Sequence, residues 1–200
     1  MKNNKFLIIW IIIGVLLVGL ISYKIYKDLN KDVIKEKLDT IGLYGYTIDE
    51  NDTELYKSNF ELLKKELKAD EINFEAYAEY ISKLFVIDLY TINNKYSSTD
   101  IGGLEFLHKD IKENFKEYVG NTLYNNVKIN LDGNRNQELP VVKSVEKESI
   151  ESIKYKYNDK EYDGYLVSLK WEYEKDLGYQ NNLKITLIKD SDILYIVKGE

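Results

Sequence analysis

Cysteine is absent from the chain, which excludes disulfide bonds, thiolate metal sites and a cysteine nucleophile. Arginine occurs once, as Arg135, and histidine occurs once, as His108. The net charge is −6. An acidic chain with one guanidinium group lacks the cationic surface that contacts with nucleic-acid phosphates require. Nucleic acid is therefore not a predicted partner.

Motifs that would hold a cofactor or a metal are also missing. The sequence has no Gly-x-Gly-x-x-Gly or Gly-Lys-Ser run to cradle a phosphate group. The polar stretch "INLDGNRNQELP" contains Asp132 but lacks the alternating ligands of a calcium loop, so Asn130–Pro140 is predicted to be a plain loop. No cofactor and no metal are predicted.

The most conspicuous feature that is present is an apolar run near the amino terminus. Thirteen of the sixteen residues from Phe6 to Ile21 are Leu, Ile, Val or Phe, and Lys5 and Lys24 flank the run. A helix of this length approaches the thickness of a hydrocarbon core, so the pattern predicts a transmembrane helix over residues 6–23. The residues predicted to form this anchor are Phe6, Leu7, Ile8, Ile9, Trp10, Ile11, Ile12, Ile13, Val15, Leu16, Leu17, Val18, Leu20 and Ile21.

A cleavable signal peptide is the alternative interpretation of the same run. It would need a shorter apolar region and a small-residue cleavage site, whereas "LISYKIYKDL" follows here. The sequence therefore predicts an uncleaved signal anchor. The abundance of Lys, Asn and Ile with one Arg indicates an AT-rich bacterial genome. The predicted location is the bacterial cell membrane, with a single pass and an extracytoplasmic carboxy-terminal domain. A cytoplasmic-facing domain is the alternative, because more lysines follow the apolar run than precede it.

A stalk is predicted between the anchor and the domain. Residues 24–40 continue the helix with an apolar stripe of Ile25, Leu29, Val33, Ile34 and Leu38. The stripe fits either a monomeric stalk or a short parallel coiled coil. Glycines in "IGLYGY" then break the helix. The predicted layout is a tail over 1–5, the membrane helix over 6–23, a stalk or linker over 24–48 and the domain over 49–200.

Three amphipathic helices are predicted in the domain from apolar residues at helical spacing. The first is capped by Asp52 or Thr53. The second follows Asn73 and covers "NFEAYAEYISKLFVIDLYTINN". The third opens at Thr99 or Asp100 and covers "DIGGLEFLHKDIKENFKEYV".

Beyond the polar loop the apolar period changes from 3.6 to 2, which predicts strands. Val141–Tyr157 is one strand with an irregularity near "EKES", and Asn158–Lys160 is the turn that follows it. "YDGYLVSLKWEYE", Leu183–Leu187 and "ILYIV" are the next three, with a turn at Asp190–Asp192. The predicted fold class is α+β: an N-terminal transmembrane helix, then three helices packed on a curved four-stranded antiparallel sheet.

Three helices followed by a four-stranded meander over residues 50–200 resemble the cystatin-like or nuclear-transport-factor-2-like superfold. With the apolar N terminus, the layout is similar to that of membrane-anchored assembly proteins of conjugative type IV secretion systems. The resemblance implies a non-catalytic domain that oligomerises at the membrane and helps to organise a larger complex. It carries over no functional residue.

Asp88 and His108 are the candidate site residues. His108 falls on the apolar face of the predicted third helix, and Asp88 lies within the apolar run "LFVIDLY". Enzymes of the superfold place catalytic groups in the mouth of the cone, so the two residues could form a general acid/base pair. The alternative is two buried polar groups with separate hydrogen-bond partners.

The predicted function is a membrane-anchored protein-interaction or scaffold domain of a bacterial envelope complex, and not an enzyme. The chain contains eighteen tyrosines, a residue type that is enriched at protein interfaces. The predicted partners are the membrane, other envelope proteins and a second copy of the chain. The alternative is a cone-pocket module for a small ligand, or a weak hydrolase or isomerase that uses Asp88 and His108.

Overall fold

The computed structural model describes residues 13–24 and 35–200. The chain divides into two units, Met1–Val33 and Ile34–Glu200. In the first unit residues 13–24 are helical. The large apolar side chains from Ile13 to Ile21 are 40–67% exposed, so none of them lies in a core.

The predicted transmembrane helix over 6–23 is wrong on this structure. Among the described residues, no helix is both long enough and apolar enough to cross a bilayer. A span needs about 20 apolar residues in one helix, and the helical residues that the structure describes here are 13–24. Phe6–Ile12 of the predicted anchor lie outside the described residues. The predictions of a signal anchor, a single pass and a location in the bacterial cell membrane are contradicted with it.

The predicted stalk helix is wrong in its last part. Two short antiparallel strands, β1 (Lys37–Ile41) and β2 (Tyr46–Asp49), form a hairpin there. Gly45, with a φ of 73°, closes the connection in the left-handed conformation that glycine adopts without strain. The hairpin buries Ile41, Tyr46 and Ile48 in the core of the second unit, which is why these residues do not continue a helix. Residues 25–34 of the predicted stalk are not described.

Three helices follow the hairpin: α1 (Glu54–Glu66), α2 (Phe74–Tyr90) and α3 (Lys109–Asn121). The first two begin at predicted caps. Thr53 accepts the Tyr56 amide at 3.2 Å, and the Asn73 side chain accepts the amides of the first turn of α2. The cap predictions are confirmed because each oxygen satisfies amides that the helix leaves free.

The third helix begins later than predicted, at Lys109. Gly103 adopts a φ of 78°, and a 3₁₀ turn over Leu104–Phe106 follows it. Leu107 then forms a parallel bridge with Ile196 of the sheet, and the Ile196 carbonyl accepts the His108 amide at 2.9 Å. The glycine and this extended bridge interrupt the helical pattern that the apolar spacing indicated.

The sheet contains β3 (Val142–Tyr157), β4 (Lys160–Tyr173), β5 (Asn182–Asp190) and β6 (Ile193–Gly199). All neighbours are antiparallel and follow the order of the sequence. Asn158 and Asp159 both have positive φ and form the two-residue turn between β3 and β4, as the twist of a hairpin favours. The predicted irregularity in "EKES" is confirmed as a register shift between Lys147 and Ser149.

The second unit has one hydrophobic core between the helices and this sheet. α2 lies against β3 and β4, and α1 packs mainly on α2 rather than on the sheet. Trp171, Tyr77, Phe60 and Phe106 are among its largest fully buried side chains. The structure is therefore α+β with a four-stranded antiparallel sheet. It contradicts one part of the predicted fold class, the transmembrane helix, for which the described residues contain no candidate.

Candidate functional site

Asp88 lies in the last turn of α2, where its carboxylate has two partners. Lys95 forms an ion pair with it, and the Gly103 amide donates to Oδ2 at 2.5 Å. The Lys95 side chain is 1% exposed, so its charge depends on Asp88. Burial opposes ionisation of Asp88, but the Lys95 charge outweighs it and holds the pKa of Asp88 below its usual value. The same pairing raises the pKa of Lys95 despite its burial. The ionised carboxylate of Asp88 is thus the counter-charge of the buried Lys95 ammonium.

His108 is the N-cap of α3 and does not lie on its apolar face. Its Nδ1 accepts the Asp110 amide at 3.4 Å. Its ring meets Tyr157 and Tyr195 edge-on, with centroids 5.1 and 5.5 Å away. No hydrogen bond among the described residues joins His108 to Asp88. The two candidate residues have separate partners, which is the arrangement of the structural alternative.

Arg135, the only arginine, holds the segment that carries Lys95. Its guanidinium donates to the carbonyls of Asn93 at 2.6 Å, Lys95 at 2.9 Å and Lys128 at 3.1 Å. A guanidinium supplies several donors in a fixed fork, which suits it to three carbonyls at once. The loop predicted at Asn130–Pro140 is thereby tied to the turn after α2.

Glu105 is a third ionisable group in this region, partly buried, that the sequence analysis missed. It lies in the 3₁₀ turn, and its carboxylate accepts the Thr47 amide at 3.1 Å, the Thr47 hydroxyl at 3.0 Å and the Tyr56 hydroxyl at 3.1 Å. These bonds join the hairpin, α1 and the 3₁₀ turn. Burial raises the pKa of Glu105 from 4.5 to about 7, against these three hydrogen bonds. The apolar context "LEFL" was the available signal.

Glu105 gives the fold a pH dependence near neutrality. The folded chain keeps this proton to a higher pH than the unfolded chain, so stability falls as pH rises from about 4.5 through 7. We expect Glu105→Gln to remove about 2 kcal/mol of the stability difference between pH 5 and pH 8. Urea unfolding at several pH values measures it.

The control for this experiment is Glu113→Gln, on the exposed face of α3. Burial also raises the pKa of Asp52, to about 6, so some slope remains in the Glu105 variant. Asp88 and Lys95 face the same cluster and are unchanged in both variants. If the free energy of unfolding depends on pH in the same way in the wild-type chain and in the Glu105 variant, the assignment of this pH dependence to Glu105 is wrong.

A groove lies between α3, the end of α2 and the ends of β5 and β6. Its volume is about 540 Å³. Apolar side chains from α2, α3, β5 and β6 and from the residues flanking α3 line it: Phe85, Leu89, Leu107, Ile111, Phe115, Val119, Leu123, Leu183 and Ile196. Phe85 and Phe115 pack together with ring centroids 5.8 Å apart. Most of these side chains also belong to the hydrophobic core, and Ile111, Phe115 and Leu123 are the ones that are partly exposed.

Polar groups stand at the margin of this groove. Lys198 pairs with Glu200 at 2.6 Å, and Tyr90 donates to the Gln180 side chain at 3.2 Å. Tyr118 lies on the same margin and is 68% exposed. An apolar surface with a few polar groups at one side is the usual composition of a small-molecule site.

In the described ranges, no group of three or more His, Asp or Glu side chains is placed to hold a metal ion. Comparisons of the chain with protein-family models, curated proteins and solved structures find no match. The resemblance to the cystatin-like or nuclear-transport-factor-2-like superfold therefore stays a prediction.

Proposed function

We propose that the second unit is a non-catalytic binding module whose groove holds the apolar body of a small amphipathic molecule. The observation that carries this proposal is the groove itself. Its volume of about 540 Å³ falls within the range of about 300–1,000 Å³ typical of ligand pockets. Its apolar lining favours burial of hydrocarbon, at about 25 cal/mol for each Å² removed from water.

The marginal charges favour an amphipathic ligand over a purely apolar one. Lys198 and Glu200 are exposed and paired with each other, so a polar head group can exchange with either partner at little cost. The apolar body would lie against Ile111, Phe115 and Leu123, the apolar lining side chains that are partly exposed. A non-catalytic role is supported by Asp88 and His108, which have separate structural partners.

The test is to fill the groove with a large side chain. Leu123 lines it and is partly buried, so Leu123→Trp occupies part of its volume. With 1-anilinonaphthalene-8-sulfonate as probe, we expect fluorescence-detected binding to weaken at least about tenfold, equivalent to about 1.4 kcal/mol. Dodecanoate should displace the probe from the wild-type chain.

Leu62→Trp is the matched control, because Leu62 is an exposed leucine on α1 that does not line the groove. This variant should bind the probe like the wild-type chain. Urea unfolding confirms that both variants are folded, since a loosened core also binds the probe. Absence of probe binding to the folded wild-type chain, or equal binding by both variants, would refute the proposal.

A second candidate function is a protein-interaction domain. The observation that favours it is the outer edge of β3, a strand of 16 residues that pairs with β4 on one side and has no strand partner on the other among the residues that the structure describes. Unpaired strand edges are the surfaces through which sheets extend to another chain. This edge does not touch the groove, so the two candidates can be tested separately.

A further inference from the structure

Two Asp-Gly pairs occur in the chain, and they lie in different surroundings. Asp132 and Gly133 lie in the loop between α3 and β3, and both residues are exposed. Asp163 and Gly164 lie within β4. In an Asp-Gly pair the glycine carries no side chain that would obstruct the approach of the carboxyl group to the next amide. The same reactive pair is therefore present once in a loop and once in a sheet.

The loop leaves the first pair open to this approach. Gly133 has a φ of 70°, and no atom beyond its chain neighbours lies within 4 Å of the position that a Cβ would take. Within the described ranges, no hydrogen bond or ion pair holds the Asp132 side chain. Exposed loops change their local conformation at little cost in free energy. The Asp132 carboxyl group can therefore reach the Gly133 amide nitrogen.

The second pair is held by strands on both sides. Gly164 pairs with Ile153 of β3 and with Ile188 of β5. The Leu187 carbonyl oxygen lies 2.1 Å from the position that a Cβ on Gly164 would take, so the two backbones are in close contact. A reaction at Asp163 would require the Gly164 amide to leave the sheet, and a strand paired on both sides opens at a much larger cost in free energy than a loop.

We propose that Asp132 is a site of spontaneous isomerisation to isoaspartate. The Gly133 amide nitrogen attacks Cγ of the neutral carboxyl group, and a C–N bond forms. The amide proton and the carboxyl hydroxyl leave together as water, and the product is a cyclic succinimide. Water then adds to one of the two ring carbonyl carbons and breaks its C–N bond, which gives either aspartate or isoaspartate. Water is the one co-reactant, and the step involves no oxidation or reduction.

The isoaspartate product lengthens the main chain by one methylene group close to Arg135. The Arg135 amide donates to the Asn130 side chain at 2.9 Å, across the turn that contains Asp132. The Arg135 guanidinium donates to three carbonyls, among them that of Lys95. An extra backbone atom between Asn130 and Arg135 changes the span of this turn. We therefore expect the modified chain to unfold at a lower urea concentration than the unmodified chain.

Peptide mapping of the folded chain tests both pairs in one experiment. Trypsin releases Asp132 in the peptide 129–135 and Asp163 in the peptide 161–170, and each peptide contains one aspartate. Isomerisation keeps the peptide mass and changes the retention time, and an isoaspartyl methyltransferase with S-adenosylmethionine labels the product. After incubation in warm, mildly acidic buffer, we expect at least about tenfold more label at Asp132 than at Asp163, the ratio that a difference of about 1.4 kcal/mol in opening free energy produces.

Asp132→Glu is the test variant, because a glutamate would have to close a larger and less favourable ring. After the same incubation this variant should carry no label in the peptide 129–135 and should keep its urea midpoint. The wild-type midpoint should fall as its label accumulates. Asp163→Glu is the matched control and should behave like the wild-type chain.

Unfolding in urea separates the effect of the fold from that of the local sequence. In urea above the unfolding midpoint, Asp132 and Asp163 should isomerise at similar rates, because the sheet no longer holds Gly164. Three results would overturn the proposal: equal labelling of the two aspartates in the folded chain, a difference between them that persists in urea, or a wild-type urea midpoint that stays constant as label accumulates.

Discussion

Asp88→Asn is expected to lower the free energy of unfolding by about 3–5 kcal/mol. Asparagine is nearly the same size as aspartate and can still accept the Gly103 amide, so the main change is loss of charge. Lys95 is 1% exposed, and among the described residues Asp88 is the one carboxylate within ion-pair distance of its ammonium. Its ammonium would be left buried without a counter-charge, which is the costly way to break a buried ion pair. Urea denaturation measures the effect through the midpoint at unchanged slope.

Two further variants separate the charge from the rest of the side chain. Asp163→Asn breaks the exposed pair with Lys154 and should cost no more than about 1 kcal/mol. In Asp88→Asn with Lys95→Met the buried charge is gone, so a large part of the lost stability should return. Two outcomes would show that the buried pair does not stabilise this turn. In the first, Asp88→Asn lowers the free energy of unfolding no more than Asp163→Asn does. In the second, the double variant loses as much free energy of unfolding as its two single changes together.

The acid side of the pH profile gives an independent check on the same pair. The pKa of Asp88 is lower in the folded chain than in the unfolded chain. Its stabilising contribution is therefore complete above the ordinary pKa of about 3.9 and is lost as the pH falls through the folded-state value. Glu105 acts with the opposite sign at higher pH. Stability should therefore decline on both sides of a maximum in mildly acidic solution.

The strands and two of the three domain helices could be predicted from local patterns. Local sequence was enough to predict the helix caps at Thr53 and Asn73 and the turn at Asn158–Lys160, because a few neighbouring residues determine each of them. The bulge near Ser149 was readable from a break in the alternation of apolar and polar residues. Such features depend on contacts that are near in sequence.

The hairpin and the third helix depended on distant contacts. The segment with Ile41 and Tyr46 is compatible both with a break after a helix and with a pair of strands. The burial of these two side chains in the core favours the strands. His108 has helical spacing with Leu104, but the bridge between Leu107 and Ile196 keeps it outside α3. The apolar periodicity of a sequence shows which residues are apolar, but it does not show which distant residues they contact in the fold.

The candidate site was predictable only in part, for a related reason. Asp88 was identifiable because a charge within "LFVIDLY" must be compensated when it is buried. Lys95 was not, since "NNKYSS" has the composition of a surface turn. The groove arises where α3 and the ends of β5 and β6 fail to close, and no local pattern specifies that gap.

Gly102→Ala is expected to lower the free energy of unfolding by about 3 kcal/mol, because the close approach of two backbones leaves no room for a side chain. A methyl group there would collide with the main-chain carbonyl of Asp88 and would lie 2.9 Å from its Cγ. The carbonyl belongs to the last turn of α2, so it cannot move without shifting the carboxylate that holds Lys95. Gly42→Ala is the matched control: no atom lies within 4 Å of the added methyl, and its backbone is not left-handed, so stability should change by no more than about 0.5 kcal/mol. Urea unfolding of both variants decides the matter, and a difference between them below 0.5 kcal/mol would show that α2 and the 3₁₀ turn are not held as closely as this contact requires.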